Sequence, residues 1–141
     1  MLPLIFEEIA EGQDIPPLVR EPSSQDLVKF AAVAEDFSRQ HWDRAYMESL
    51  GFPDVIVHGW LTLTYMCQAV TAWLPPDHAR ILRYEARHKR PIFPGRIILG
   101  GRVARKTEEN GARLLDLDLW AQDAEGQVMT SGAIRLQMLD P

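Results

Sequence analysis

The longest uncharged stretch of the chain runs from Val55 to Pro76 and contains no Asp, Glu, Lys or Arg. Drawn as a helix, it presents apolar residues on every side, and a helix that is apolar all round must be buried all round. A transmembrane helix would need about 18 uninterrupted apolar residues. Polar residues interrupt this stretch at Thr62, Thr64, Gln68 and Thr71. We therefore expect a core helix wrapped by a large, curved structure.

Before this stretch, the hydrophobic pattern predicts several small elements. Residues 4–9 are apolar enough for a first strand, and residues 18–21 for a short extended segment. Apolar positions at helical spacing predict a helix over 27–34, with a serine N-cap among residues 23–24. A second short helix is predicted over 44–50, where a glycine and a proline follow it.

After Pro75 and Pro76 the pattern changes from a helical period to a period of two, which is typical of strands. This alternation predicts strands over 81–90, 97–103, 115–119 and 128–136. Asn110-Gly111 is a favoured hairpin turn between the second and third of them. A run of helices followed by a run of strands indicates an α+β fold.

We predict an antiparallel sheet curled around the long apolar helix, which is the hotdog architecture. Such a sheet leaves an edge strand, and natural proteins cover or pair exposed edges. We therefore expect a dimer.

Composition changes this picture only in the choice of partners. The chain has 141 residues, of which 46 % are apolar and 25 % charged, and this suits one domain over residues 1–141. The net charge of −5 argues against a general nucleic-acid binder, which would be basic. One cysteine excludes an internal disulfide, and the N-terminal segment lacks the basic region of a secretory signal. We expect a cytoplasmic protein that acts on small molecules or other proteins and binds neither nucleic acid nor membrane.

Asp36 and His41 are the first candidates for chemistry. They are five residues apart, which on a continuous helix separates them by about 140°, so they converge only if the chain turns between them. A carboxylate and an imidazole at one point can hold a water and exchange its proton. The alternative is that Asp36 caps a loop and His41 is merely exposed, and spacing alone favours this alternative.

His58 and Gly59 form the second candidate. A glycine at the start of a buried helix lets a ligand approach the backbone, whose free N–H groups carry partial positive charge. Such groups can receive a developing oxyanion, for example the enolate of a thioester. Gly59 can equally relieve crowding at a strand-to-helix junction.

The other polar and reactive residues of the sequence give weaker indications of function. The four histidines have no compact metal-ligand spacing, so we expect no metal site. Cys67 lies within the apolar helix, where cysteine is usually an inert small hydrophobe. The basic stretch over 83–96 can contact the phosphates of a carrier or form a solvated strand face. The chain has no P-loop, no dinucleotide fingerprint and no Gly-x-Ser-x-Gly elbow, and we expect no cofactor.

Taken together, the chain resembles the MaoC-like hydratase/dehydratase family, the (R)-specific enoyl-thioester hydratases of hotdog fold. The resemblance rests on LVKFAAVAEDFSRQHWD, on VIVHGW and on RHKRPIFPGRI. In that family an Asp and a His form the catalytic pair within a pattern Asp-x-Asn-Pro-x-His. Asp36 and His41 match its two ends, whereas Ser38 and Arg39 replace its Asn and Pro. Gly59 matches the glycine whose backbone N–H is expected to bind the thioester carbonyl.

The resemblance implies a hydratase that adds water reversibly to a 2-enoyl thioester of coenzyme A or of an acyl carrier. It implies catalytic roles for Asp36, His41 and Gly59. It also implies substrate contacts from His58, Trp60, Ser38, Phe93, Pro94 and Gly95. The alternatives are a hotdog thioesterase and a non-catalytic subunit that completes a related partner. The expected assembly is accordingly a homodimer, or a heterodimer with a related hotdog subunit.

Overall fold

The computed structural model describes residues 5–139 of the chain. Its α-helices are α1 (Ser24–Ala34), α2 (Arg44–Ser49) and α3 (Gly59–Trp73). Its strands are β1 (Leu18–Arg20), β2 (Ala79–His88), β3 (Ile97–Glu109), β4 (Ala112–Gln122) and β5 (Val128–Met138). Short 3-10 helices cover Phe6–Glu8 and Arg39–His41. The predicted order is confirmed, with the helices preceding the four long strands.

All five strands form one antiparallel sheet in the order β1-β3-β4-β5-β2. Strands β3, β4 and β5 follow one another as hairpins, whereas β2 lies beyond β5 at the far edge. The β3–β4 turn uses Asn110 and Gly111, whose φ angles of 51° and 79° are both left-handed. A two-residue hairpin turn of this kind requires such angles, so the predicted Asn-Gly turn is confirmed.

The concave side of the sheet holds α3, and the core lies between them. Alternate residues of β3 and β4 point inward, as the period of two predicts: Ile97, Leu99, Val103, Leu115, Leu117 and Leu119 are all buried. Met66 of α3 approaches Gly132 of β5. The hydroxyl of Tyr84 on β2 donates to the Leu63 carbonyl of α3 at 2.8 Å. The sheet therefore wraps α3 in the predicted hotdog arrangement.

One prediction about α3 is wrong for the single chain, because the helix is not buried all round. Its buried side comprises Leu61, Thr62, Met66, Ala69, Val70 and Trp73. On the other side Trp60 is 71 % exposed, and Thr64 and Gln68 are exposed as well. A five-stranded sheet covers only the side of the helix that it faces, so the apolar residues opposite remain open.

The predicted strand over residues 4–9 is also wrong within the described range, where Phe6–Glu8 is a 3-10 helix. Leu4 lies outside the described residues. Phe6 and Ile9 are both buried while Glu7 and Glu8 are exposed. A spacing of three places two residues on one side of a 3-10 turn, and the short apolar run did not distinguish that period from a strand.

Candidate active site

The end of α1 turns the chain so that Asp36 leaves the helix. Ser23 and Asp26 form a capping box at its start, so the predicted serine N-cap is Ser23. At its end Glu35 is left-handed, with φ 53° and ψ 30°. Such a conformation costs a non-glycine residue about 1 kcal/mol. The Asp36 N–H then donates back to the Ala31 carbonyl at 3.1 Å. The chain therefore turns between Asp36 and His41, which is the condition for their convergence.

The turn that follows is held by Ser38 and Arg39. Ser38 donates to Asp36 Oδ1 twice, from its hydroxyl at 2.6 Å and from its backbone N–H at 3.2 Å. Arg39 pairs with Asp43 at 2.8 Å and stacks over the Tyr46 ring at 4.3 Å. Ser38 thus orients the Asp36 carboxylate, and Arg39 fixes the 3-10 turn to α2.

This turn brings Asp36 and His41 together. Asp36 Oδ2 lies 3.5 Å from His41 Nε2. His41 Nδ1 lies 2.7 Å from the Ile56 carbonyl oxygen, which can only accept, so Nδ1 carries a proton and donates it to this carbonyl. The Gln40 amide lies 3.2 Å from the same Nε2. His41 is therefore oriented so that Nε2, the nitrogen not held by the backbone, faces the Asp36 carboxylate.

His58 supports this pair from the protein interior. Its ring stacks on that of His41, with centroids 3.7 Å apart and an angle of 18° between the planes. His58 Nε2 lies 3.2 Å from the backbone carbonyl of Asp36, and Phe30 packs edge-on against the ring at 5.1 Å. The side chain is 1 % exposed. His58 therefore positions Asp36 and His41 and is too buried to meet a substrate.

Environment shifts the pKa values of two of these groups. The hydrogen bonds from Ser38 hold the pKa of Asp36 below its ordinary value, and the nearby His41 and His58 add to that effect. Burial lowers the pKa of His58, although its bond to the Asp36 carbonyl opposes the shift. Asp36 is therefore ionised and His58 neutral near pH 7.

Asp36, His41 and His58 each place one potential metal ligand atom within 4.8 Å of the others. The ring geometry does not suit an ion, however. A metal lies in the ring plane of the imidazole that binds it, about 2.0–2.1 Å from the nitrogen for zinc. Two nearly parallel rings stacked 3.7 Å apart cannot both meet that requirement with one ion. The cluster is therefore arranged for hydrogen bonding and stacking.

A cavity of about 720 Å³ adjoins the pair. Asp36, Gln40 and His41 line it together with Gly59 and Trp60. Its apolar lining comes from Ile56, Val57, Leu63, Ala86, Pro91 and Ile92. The remaining lining residues, Thr62, His88, Lys89 and Arg90, are polar or basic. The cavity thus combines an acid–base pair, an apolar wall and the start of α3.

The start of α3 offers free backbone donors beside this cavity. The first helical bond runs from the Thr62 N–H to the His58 carbonyl at 3.1 Å. Within residues 5–139 the Gly59 N–H has no acceptor. An N-terminal helix N–H without a partner attracts negative charge. Gly59 therefore supplies a donor where the cavity meets the helix.

The other predicted substrate contacts are placed differently. Trp60 lines the cavity, whereas Ser38 is bonded to Asp36 and lies outside the lining. Phe93, Pro94 and Gly95 also lie outside it, and Phe93 packs near Phe52 with centroids 6.5 Å apart. The neighbouring Pro91 and Ile92 take their place because the Ile92 carbonyl accepts from the Val57 N–H at 2.7 Å.

Among the site residues that the sequence analysis missed, Gln40 and His88 are polar and lie beside the predicted ones. Gln40 sits within the 3-10 turn, and its amide nitrogen lies 3.2 Å from His41 Nε2. His88 is the last residue of β2, paired in register with Thr130 of β5. Its position follows only from the pairing of β2 with β5, and the alternation of the strand does not reveal that pairing.

Comparison with known proteins places this fold among previously described ones. Residues 9–114 match the family model described as MaoC like domain. The R-hydratase PhaJ1 from Pseudomonas aeruginosa, in its unliganded form, superposes with a TM-score of 0.86 at 23 % identity, covering 96 % of this chain and 86 % of that one. The (R)-hydratase from A. caviae involved in PHA biosynthesis gives 0.84 at 22 % identity, with 94 % and 99 % covered.

A third similar structure is the ChsH1-ChsH2 complex from Mycobacterium tuberculosis. It gives a TM-score of 0.80 at 21 % identity, covering 92 % of this chain and 98 % of that one. Comparison with curated protein sequences finds no match. No helix among residues 5–139 is long and apolar enough to cross a membrane. The similarity to these structures establishes the fold.

Proposed function

This chain belongs to the MaoC-like domain family, and from that premise we propose that it adds water reversibly to a 2-enoyl thioester, giving the (R)-3-hydroxyacyl thioester. The observation that carries the proposal is the 3.5 Å approach of Asp36 Oδ2 to His41 Nε2 at the wall of a cavity. Two of the similar solved structures are described as R-hydratases, and the (R) configuration is proposed by analogy with them.

In this mechanism Asp36 and His41 hold one water between them. His41 Nε2 has the lone pair to accept a proton from that water as its oxygen bonds to C3. The ionised Asp36 stabilises the imidazolium that forms, since an opposite charge 3.5 Å away favours the charged state. The same proton then passes to C2, so that the elements of one water molecule are added and the pair returns to its first state.

Negative charge develops on the thioester carbonyl oxygen as water adds. The Gly59 N–H is the donor that we assign to this oxygen, because it lines the same cavity and lacks another acceptor within the described residues. A backbone donor of this kind is worth roughly 3 kcal/mol of transition-state stabilisation. A side chain at Gly59 would meet the neighbouring His88 ring and disturb the surroundings of this donor.

The lining of the cavity supports an acyl thioester carried by coenzyme A or by an acyl carrier protein. Ile56, Leu63 and Ile92 offer an apolar wall for the acyl group. Lys89 and Arg90 line the cavity as well and are exposed. Phosphate groups of either carrier can pair with such side chains.

We also propose that the protein acts as a dimer, either of two copies or with a related hotdog subunit. Within the described residues β2 pairs only with β5, which leaves its other edge open. Ile81 and Leu82 of β2 are 40 % and 47 % exposed. An open edge strand with apolar residues is a surface that proteins usually pair.

The test is to incubate the protein with enoyl-CoA thioesters of increasing chain length and follow the loss of the conjugated enoyl absorbance. Release of free thiol is measured in the same samples. Loss of enoyl absorbance without thiol release is the expected result. Thiol release would identify a thioesterase, and no reaction with any thioester, alone or with a related subunit, would overturn the proposal.

A further inference from the structure

His88 stands next to Gly59, although the two residues belong to different elements. A Cβ built on Gly59 would lie 2.7 Å from His88 Nε2, 3.1 Å from Cε1 and 3.3 Å from Cδ2. The imidazole therefore occupies the space beside the first residue of α3 that any other side chain would fill. Both residues line the cavity that holds Asp36 and His41.

The other ring nitrogen of His88 is held by Thr130. His88 Nδ1 lies 3.0 Å from Thr130 Oγ1, and Thr130 is fully buried. Among residues 5–139 this nitrogen is the one hydrogen-bond partner of the Thr130 hydroxyl. If Nδ1 carried the proton, the hydroxyl hydrogen would be buried without an acceptor, which costs about 1–3 kcal/mol.

The hydroxyl of Thr130 therefore donates to Nδ1, and the proton of neutral His88 resides on Nε2. That N–H has no acceptor among the described residues and lies beside Gly59. A pair of donors, one from the backbone and one from a side chain, is a common form of oxyanion site.

We propose that His88 is a second donor to the thioester carbonyl oxygen, acting with the Gly59 N–H, and that Thr130 fixes the tautomer that makes it a donor. This inference rests on the proposed hydratase function. His88 is then a catalytic residue, and Thr130 is a positioning residue that acts through it. His88 donates a hydrogen bond in this role and transfers no proton, so no covalent bond to it forms or breaks.

Four variants test the inference in the full-length protein with crotonyl-CoA. His88→Phe keeps a ring but removes the donor, and we expect kcat to fall at least 10-fold with a smaller change in KM. His88→Gln retains an N–H at similar reach and should recover most of that loss. Thr130→Val keeps the shape of Thr130 but removes the hydroxyl that selects the His88 tautomer. We expect kcat to fall several-fold. His78→Phe is the control and should match the wild type, because His78 immediately precedes β2 at the end far from His88.

A second measurement does not depend on turnover. Nitrogen-15 NMR of the histidine rings reports which nitrogen of His88 carries the proton, before and after addition of the saturated thioester butyryl-CoA. We expect the proton on Nε2 in the wild type, a shift of that signal on binding, and a change of tautomer population in Thr130→Val. This measurement also decides the matter if a variant fails to fold.

The outcomes separate this inference from the hydratase proposal. If Asp36→Asn loses hydration while His88→Phe stays within twofold of the wild type, the inference is overturned and the hydratase proposal stands. A wild type that hydrates no enoyl thioester overturns the hydratase proposal, and the NMR result then decides the role of His88 alone. A proton on Nδ1, or an Nε2 signal that butyryl-CoA leaves unchanged, overturns the donor role.

Discussion

Replacing Gly59 by alanine perturbs the helix start and the neighbouring histidine at once. The added Cβ would lie 2.7 Å from His88 Nε2, and ordinary contacts begin at about 3.5 Å, so the ring must retreat by about 0.8 Å. Movement of that size is enough to break the 3.0 Å bond between His88 and Thr130, because hydrogen bonds do not form much beyond about 3.5 Å.

The expected stability change has two opposing contributions. Overpacking costs about 1–3 kcal/mol, and the low end applies because the exposed His88 ring can swing outward. Alanine in place of glycine stabilises by about 0.4–1 kcal/mol where the backbone is compatible, as it is here because Gly59 does not have a positive φ. In the wild-type background Gly59→Ala should therefore be neutral to destabilising by about 1 kcal/mol.

In a His88→Ala background the clash is absent, and the same substitution should stabilise by about 0.5 kcal/mol. A difference of 1 kcal/mol between backgrounds moves the melting temperature by about 3 °C in a chain of this size. Melting is measured at one fixed protein concentration, because assembly shifts it. If Gly59→Ala shifts the melting temperature equally in the two backgrounds, the contact with His88 is not the source of the lost stability.

The activity of the same four proteins separates packing from catalysis. We expect Gly59→Ala to lower kcat/KM by about 100-fold, the usual effect of disturbing an oxyanion donor. At least a 10-fold loss should persist in the His88→Ala background, because the Cβ still lies beside the donor. If folded Gly59→Ala turns over normally in both backgrounds, Gly59 is a packing residue and has no part in the mechanism.

Three further predictions concern the support of the site and the assembly. Ser38→Ala removes the 2.6 Å bond to Asp36 and should raise the pKa of Asp36, so the acid limb of the kcat/KM profile moves to higher pH; an unchanged limb would contradict this. The lowered pKa of buried His58 means that the folded state binds fewer protons than the unfolded state once pH falls below about 6.5. The melting temperature should therefore drop between pH 7.5 and 5.5, and His58→Gln should reduce that drop. Light scattering at micromolar concentration should give about twice the 16.1 kDa chain mass. A monomer would contradict the proposal that the open edge of β2 pairs with a second subunit.

The sequence was sufficient for the elements that local rules control. The period of two identified β3 to β5, the Asn110-Gly111 turn identified their first hairpin, and the uncharged stretch identified α3. The sequence predicted the pairing of Asp36 with His41 only on the condition that the chain turns between them. The left-handed conformation of Glu35 begins that turn, and the sequence alone did not reveal it.

The features that the sequence did not predict depend on contacts between residues that are far apart in the chain. The pairing of β2 with β5 places His88 beside Thr130 and Gly59, and no local pattern encodes it. The exposed side of α3 was missed because apolar composition alone does not show which side of a helix the sheet covers. The stacking of His58 on His41 likewise requires the turn that no spacing rule specifies.

The proposed roles of Asp36 and His41 are tested most directly by the hydration rate of crotonyl-CoA in Asp36→Asn. A matched control exists in Asp77, whose carboxylate also contacts an imidazole, that of His78 at 2.8 Å, on an exposed surface. Asp36→Asn should lower kcat/KM at least about 100-fold while Asp77→Asn stays at the wild-type rate. Hydration by folded Asp36→Asn at near the wild-type rate would contradict the account.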